Sequence, residues 1–89
     1  MTTNAGRPVT ARRAAIDRYT AASRALDLNS ITEYAAGITD ETPEFLELNQ
    51  EVADAEAGVP WWRRALIDRR ILRELDYWAR MDEIERRRA

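Results

Sequence analysis

The sequence predicts an all-α protein: a small helical bundle of three main helices plus one short helix, ending in a long C-terminal helix. Apolar side chains recur at three- and four-residue spacing, the period of an amphipathic helix. Proline, glycine and hydroxyl residues fall where helices start and stop, and the last run, from Pro60 onward, contains no breaker. The 89 residues, 45% apolar and 34% charged, suffice for one core and a solvated exterior, and that balance excludes a fully disordered chain.

Residues 1–8 are mostly small and polar and are expected to form a mobile tail before a single helical domain over residues 9–89. Pro8 or Thr10 opens the first helix. In it Ala15, Ile16, Tyr19, Ala22, Ser23 and Leu26 share one face, which Arg12, Arg13, Asp17 and Arg24 largely avoid. Asp27-Leu28-Asn29 interrupts the pattern. Ser30 and Glu33 have the spacing of a reciprocal capping box, so a short second helix is expected over about residues 31–36, ending at Gly37 in the left-handed conformation.

Thr42-Pro43-Glu44 then places a hydroxyl at an N-cap, a proline at the first helical position and an acid at the positive helix end. The helix started there is expected to reach Gly58, with Phe45, Leu46, Asn49, Val52 and Ala53 on its apolar side. Pro60 opens the last helix, expected to be the longest and the spine of the molecule, roughly 40 Å at 1.5 Å per residue. The other main helices are expected to pack against its first half, with short loops favouring near-antiparallel neighbours. The expected core is Ile16, Tyr19, Leu26, Phe45, Val52, Trp61, Leu72, Leu75 and Trp78.

Cysteine and histidine are both missing from the sequence. Disulfides, zinc sites, thiol nucleophiles and imidazole bases therefore drop out together. Ser23 and Ser30 are the only serines; the second suits a helix cap, and neither has an imidazole to activate it. The carboxylates fall on solvated helix faces, where nothing splits their pKa values into an acid and a base. No catalytic residue, cofactor or metal ligand is assigned, and an enzyme is not expected. The N-terminus lacks an apolar signal core and no segment approaches the ~20 apolar residues of a membrane span, so a cytoplasmic location is expected. Every basic residue is an arginine, and alanine is abundant. That bias of GC-rich codons points to a bacterium or phage with such a genome.

Charge is segregated: residues 40–59 carry seven acids and no base, whereas residues 60–89 carry nine arginines against six acids. The last helix is also apolar nearly all round. Trp61, Ala65, Ile67, Ile71, Leu72, Leu75, Trp78 and Ala79 make a broad side assigned to the core. A second strip holds Trp62, Leu66, Tyr77, Met81 and Ile84, with Arg69, Arg70, Arg73 and Arg80 among or beside them. One small domain cannot easily cover so much apolar perimeter, and Trp, Tyr, Met and Arg are enriched where proteins meet. These nine residues are the candidate protein interface, and a self-complementary patch gives a homodimer. In the competing reading Trp62 and Leu66 close the core, while arginines pair locally: Asp76 with Arg80, Asp82 with Arg86, Glu83 with Arg87.

The acidic stripe Glu44, Glu47, Glu51 and Asp54, with Asp40 and Glu41 just before it, is a candidate docking surface for a basic partner or for another copy's arginines. More commonly such a run is a solvated helix face. Arginine interleaved with aromatics also suits phosphates and bases, which makes nucleic acid the alternative partner. Six acids dilute the strip, and the sequence pI of about 5.2 opposes that reading. Residues 52–59 look at a glance like the first helix and turn of a helix-turn-helix reader. Asp54, however, stands where an alanine is expected, and Pro60-Trp61-Trp62 takes the place of polar base-reading residues. The expectation is a small helical protein-protein interaction module that self-associates through its last helix.

Overall fold

The structure is a computed structural model that describes the backbone of residues 3–88 and the side chains from Thr10 to Arg88. It contains three helices among the described residues, α1 (Thr3–Ala35), α2 (Pro43–Glu56) and α3 (Trp61–Arg88). The backbone is already helical at Thr3, so the stretch expected as a tail overlaps the first turns of α1, and Met1 and Thr2 lie outside the described residues.

The expected break at Asp27-Leu28-Asn29 does not occur, and the short helix expected after it is the end of α1. No proline or glycine stands between Pro8 and Gly37, and Ser-x-x-Glu spacing fits a helix interior as well as a helix start. Glu33 serves the next helix instead, since its carboxylate accepts a short hydrogen bond from the Thr42 hydroxyl. The Thr42 Oγ1 in turn accepts from the Phe45 N–H at 3.1 Å and so caps α2, with Pro43 behind it. Between the two helices Gly37 takes the left-handed conformation at φ +76°. The Ile38 N–H reaches the Glu33 carbonyl at 2.9 Å and the Gly37 N–H the Tyr34 carbonyl at 3.0 Å. That pair of bonds closes α1 as a Schellman motif.

The contacts fix the topology. Arg18 Nε donates to Glu51 at 2.9 Å near the middle of α1, and Gly58 lies against Ala15 one turn earlier, so α2 runs back antiparallel on α1. Tyr19 meets Asp68 and Arg24 meets Glu74, so α3 runs parallel to α1. The main packing pairs are α1 with α2 and α1 with α3. Two expectations are thereby corrected: α1, with 33 residues against 28 in α3, is the longest helix, and α1 is the spine on which the others pack.

Tyr19, Ala22, Ala55 and Val59 form the core, with Ala15, Ile16, Val52 and Ile67 packed against it, and Ile71 is fully buried. Leu26, Phe45 and Leu75 are half-buried. Trp61, Leu72 and Trp78, expected inside, are instead 74%, 60% and 64% exposed. Trp61 and Leu72 lie beside the narrow stripe that a helix packed mainly on one neighbour buries, whereas Trp78, two turns after Ile71 on that stripe, lines an open cleft with Leu28 and Ile31. The molecule is correspondingly elongated, 58 × 32 × 22 Å, with a radius of gyration of 16.6 Å. A compact chain of this length has about 12 Å.

Thermal or urea melts check this packing. Ile71→Ala is expected to cost about 2–5 kcal/mol, because it empties a closed site. Leu72→Ala should change stability by less than about 1 kcal/mol, because its side chain is already largely in water. A Cβ at Gly58 would stand 3.0 Å from the Ala15 Cβ, itself fixed to helix backbone, so Gly58→Ala is expected to cost about 1–3 kcal/mol.

Candidate protein interface

α3 begins where the Pro60 carbonyl accepts from the N–H groups of Arg63 at 3.1 Å and Arg64 at 3.0 Å. With no glycine or proline beyond it, the helix continues without interruption to Arg88. Its inward stripe is Arg64, Ile67, Asp68, Ile71, Glu74 and Leu75, all buried or half-buried. Polar bonds set the rotation of that stripe: Tyr19 Oη donates to Asp68 at 2.8 Å, Arg24 Nε to Glu74 at 2.9 Å, and Arg64 pairs with Glu56 of α2 at 3.1 Å.

Helical periodicity then carries Leu66, Arg69, Arg73, Tyr77, Arg80 and Ile84 to the side turned away from α1, with Arg70 and Met81 on its flank, whereas Trp62, at the start of the helix, lines a cleft with Arg12 and Ile16 of α1. All nine are exposed, Leu66 and Tyr77 to 57% each, so Trp62 and Leu66 do not close the core. Arg63 stacks over the Trp62 ring at 5.1 Å, and Tyr77 meets Trp78 edge-on at 5.4 Å between centroids. Local pairs form at Asp76–Arg80 (3.1 Å), Asp82–Arg86 (2.7 Å) and Glu83–Arg87 (2.8 Å). Arg69, Arg70 and Arg73 have no ion pair and stand together at the middle of the strip.

Besides the cleft of about 410 Å³ at its start, two further clefts adjoin α3. One, of about 540 Å³, lies between the end of α1 and the second half of α3, where Leu28 and Ile31 face Leu75, Trp78 and Met81. Met81 thus belongs to this groove as well as to the flank of the outer strip. Leu28 and Ile31 were missed as surface residues because Leu28 falls in the supposed break and Ile31 follows it; a continuous helix would have set them off its main apolar face. The second cleft, about 270 Å³, opens between the three helices and is lined by Tyr19, Ser23, Leu26, Asp27, Val52, Glu56, Asp68 and Leu72. Its carboxylates come from three separate helices, so no local sequence pattern foretold their meeting.

Burial, the Asp68 hydrogen bond and nearby negative charge raise the Tyr19 pKa. Burial, and secondly the charge of Asp68, raise that of Asp27. The acids of α2 are less enclosed: Glu44, Glu47, Glu51 and Asp54 are all exposed, Glu51 paired with Arg18 and Asp54 accepting from Gln50 at 2.9 Å. Among the described residues no group of three acids is placed to hold a metal ion, and no helix is long and apolar enough to cross a membrane.

The Asp27 environment has a measurable consequence. The folded state holds this proton more tightly than the unfolded chain, so stability falls as pH rises from the ordinary value of 3.8 through the raised folded value. Asp27→Asn is expected to remove that part of the slope and to raise the melting temperature modestly at neutral pH. Melts across the acidic to neutral range check it; a lower melting temperature at neutral pH contradicts it.

Compared with protein-family models, curated proteins and solved structures, the chain matches none.

Proposed function

We propose that this chain is a small non-enzymatic helical interaction module, an adaptor, assembly factor or inhibitor of a bacterium or phage with a GC-rich genome, that self-associates through the outer face of α3. The observation that carries this reading is the exposed strip itself. Trp62, Leu66, Tyr77, Met81 and Ile84 stand 37–57% exposed along one helix, with Arg69, Arg70 and Arg73 unpaired among them. Buried aromatic and aliphatic anchors give such contacts their affinity, and a charged rim gives them orientation.

The surface area supports the same reading. The chain exposes 7416 Å², against about 5,400 Å² for a compact monomer of its mass. The excess, roughly 2,000 Å², is comparable to the whole area buried in a standard protein interface. Four anchors, Trp62, Leu66, Tyr77 and Met81, are assigned to the contact, with Arg69, Arg70, Arg73 and Arg80 at its rim. The alternative reading is nucleic-acid binding. It draws on the same three unpaired arginines beside Trp62 and Tyr77.

Sedimentation equilibrium separates the two. Self-association gives a mass at least twice that of the monomer, reduced by Tyr77→Arg combined with Met81→Glu, and alanine at a well-buried anchor costs about 2 kcal/mol of association. A chain that stays monomeric at high concentration yet retards random DNA or RNA at low salt, with the shift lost steeply as salt rises, belongs to the second reading.

A further inference from the structure

The arginines of the outer strip pose a problem for a symmetric contact. Two copies paired strip on strip about its middle would set Arg69, Arg70 and Arg73 against the same three residues. The nearest acid on that side, Asp76, is already held by Arg80. Like charges facing each other oppose association. The strip therefore fits an acidic surface better than it fits itself.

Such a surface lies on the same molecule, in the 270 Å³ cleft between the three helices. Asp27, Glu56 and Asp68 line it, and only Glu56 has a cation, Arg64 at 3.1 Å. Ser23 lines it too. That residue is only 5% exposed, and its hydroxyl, though near the Tyr19 phenol, makes no hydrogen bond of acceptable geometry. Two carboxylates without a cation and a buried hydroxyl without a partner are the complement of a guanidinium, which offers five N–H donors in one plane. Leu26, Val52 and Leu72 supply apolar wall for the aliphatic stem of the same side chain.

We propose that the arginine strip of one copy docks into this cleft of a second copy, head to tail, placing the guanidinium of Arg69 or Arg73 against Asp27, Asp68 and the Ser23 hydroxyl. The proposal rests on self-association through α3 and specifies the surface that receives it. A pair joined in this way keeps one free strip and one free cleft, so assembly continues into chains or closes into rings.

Mixing two disabled variants tests this. Arg69→Glu with Arg73→Glu removes the strip and leaves the cleft; Asp27→Arg fills the cleft with its own guanidinium and leaves the strip. Each variant alone is expected to sediment as a monomer, and an equimolar mixture to form a one-to-one complex through the one intact pair of surfaces. The milder Asp27→Asn, which removes a strained charge from the fold, should weaken wild-type self-association by at least about tenfold while keeping or raising the melting temperature. A mixture that stays monomeric, or wild-type association by either Asp27 variant, overturns head-to-tail docking and leaves self-association standing. A wild-type chain that is monomeric at all concentrations overturns both.

Discussion

The seam between α1 and α3 is the constraint from which the rest of the molecule follows. Along it Ile67, Ile71 and Leu75 supply the apolar contact, and Tyr19–Asp68 and Arg24–Glu74 fix its rotation. A helix of 28 residues is thus held chiefly along one line, and most of its circumference stays in water. The exposed tryptophans, the elongated shape and the clefts beside α3 are consequences of that single seam. A further helix packed between α2 and α3 would have erased them.

The seam also marks how far the sequence could be read. Thr42 as an N-cap, Gly37 as a left-handed stop and the unbroken run from Pro60 to the last arginines were legible, because each signal is local and acts on the backbone nearby. The continuity of α1 was not. Asp27, Leu28 and Asn29 are weak breakers, and the helix carries through them. The rotation of α3 was equally hidden: a helix apolar nearly all round does not announce which stripe is buried. The polar bonds that decide it join residues 49 and 50 positions apart, beyond any periodicity. Trp61 and Leu72 were consequently assigned to a core that turns past them, and Trp78, on the buried stripe, to a stretch of the seam that stays open as a cleft.

The distribution of ion pairs sharpens the contrast between the two ends of α3. Asp82 and Glu83 occupy Arg86 and Arg87, each one turn away, and such exposed pairs add only a few tenths of a kcal/mol. Arg69, Arg70 and Arg73 have no acid one turn away that is free to take them, since Glu74 is engaged by Arg24. Electrostatics here contributes little to holding the fold together. Its larger effect is on which surface the middle of α3 can accept.

The link from Glu33 through Thr42 to the Phe45 amide joins residues close in sequence, so the antiparallel pair it ties together has a low loop-closure cost and can assemble as soon as those segments exist. The C-terminal rod has its own short-range tether at its start, the Arg64–Glu56 pair, whereas its side-chain bonds to α1 join residues 49 and 50 positions apart. Unequal native-state opening is the expected consequence, with the far half of the rod, past Leu75, giving up its amides before the hairpin does.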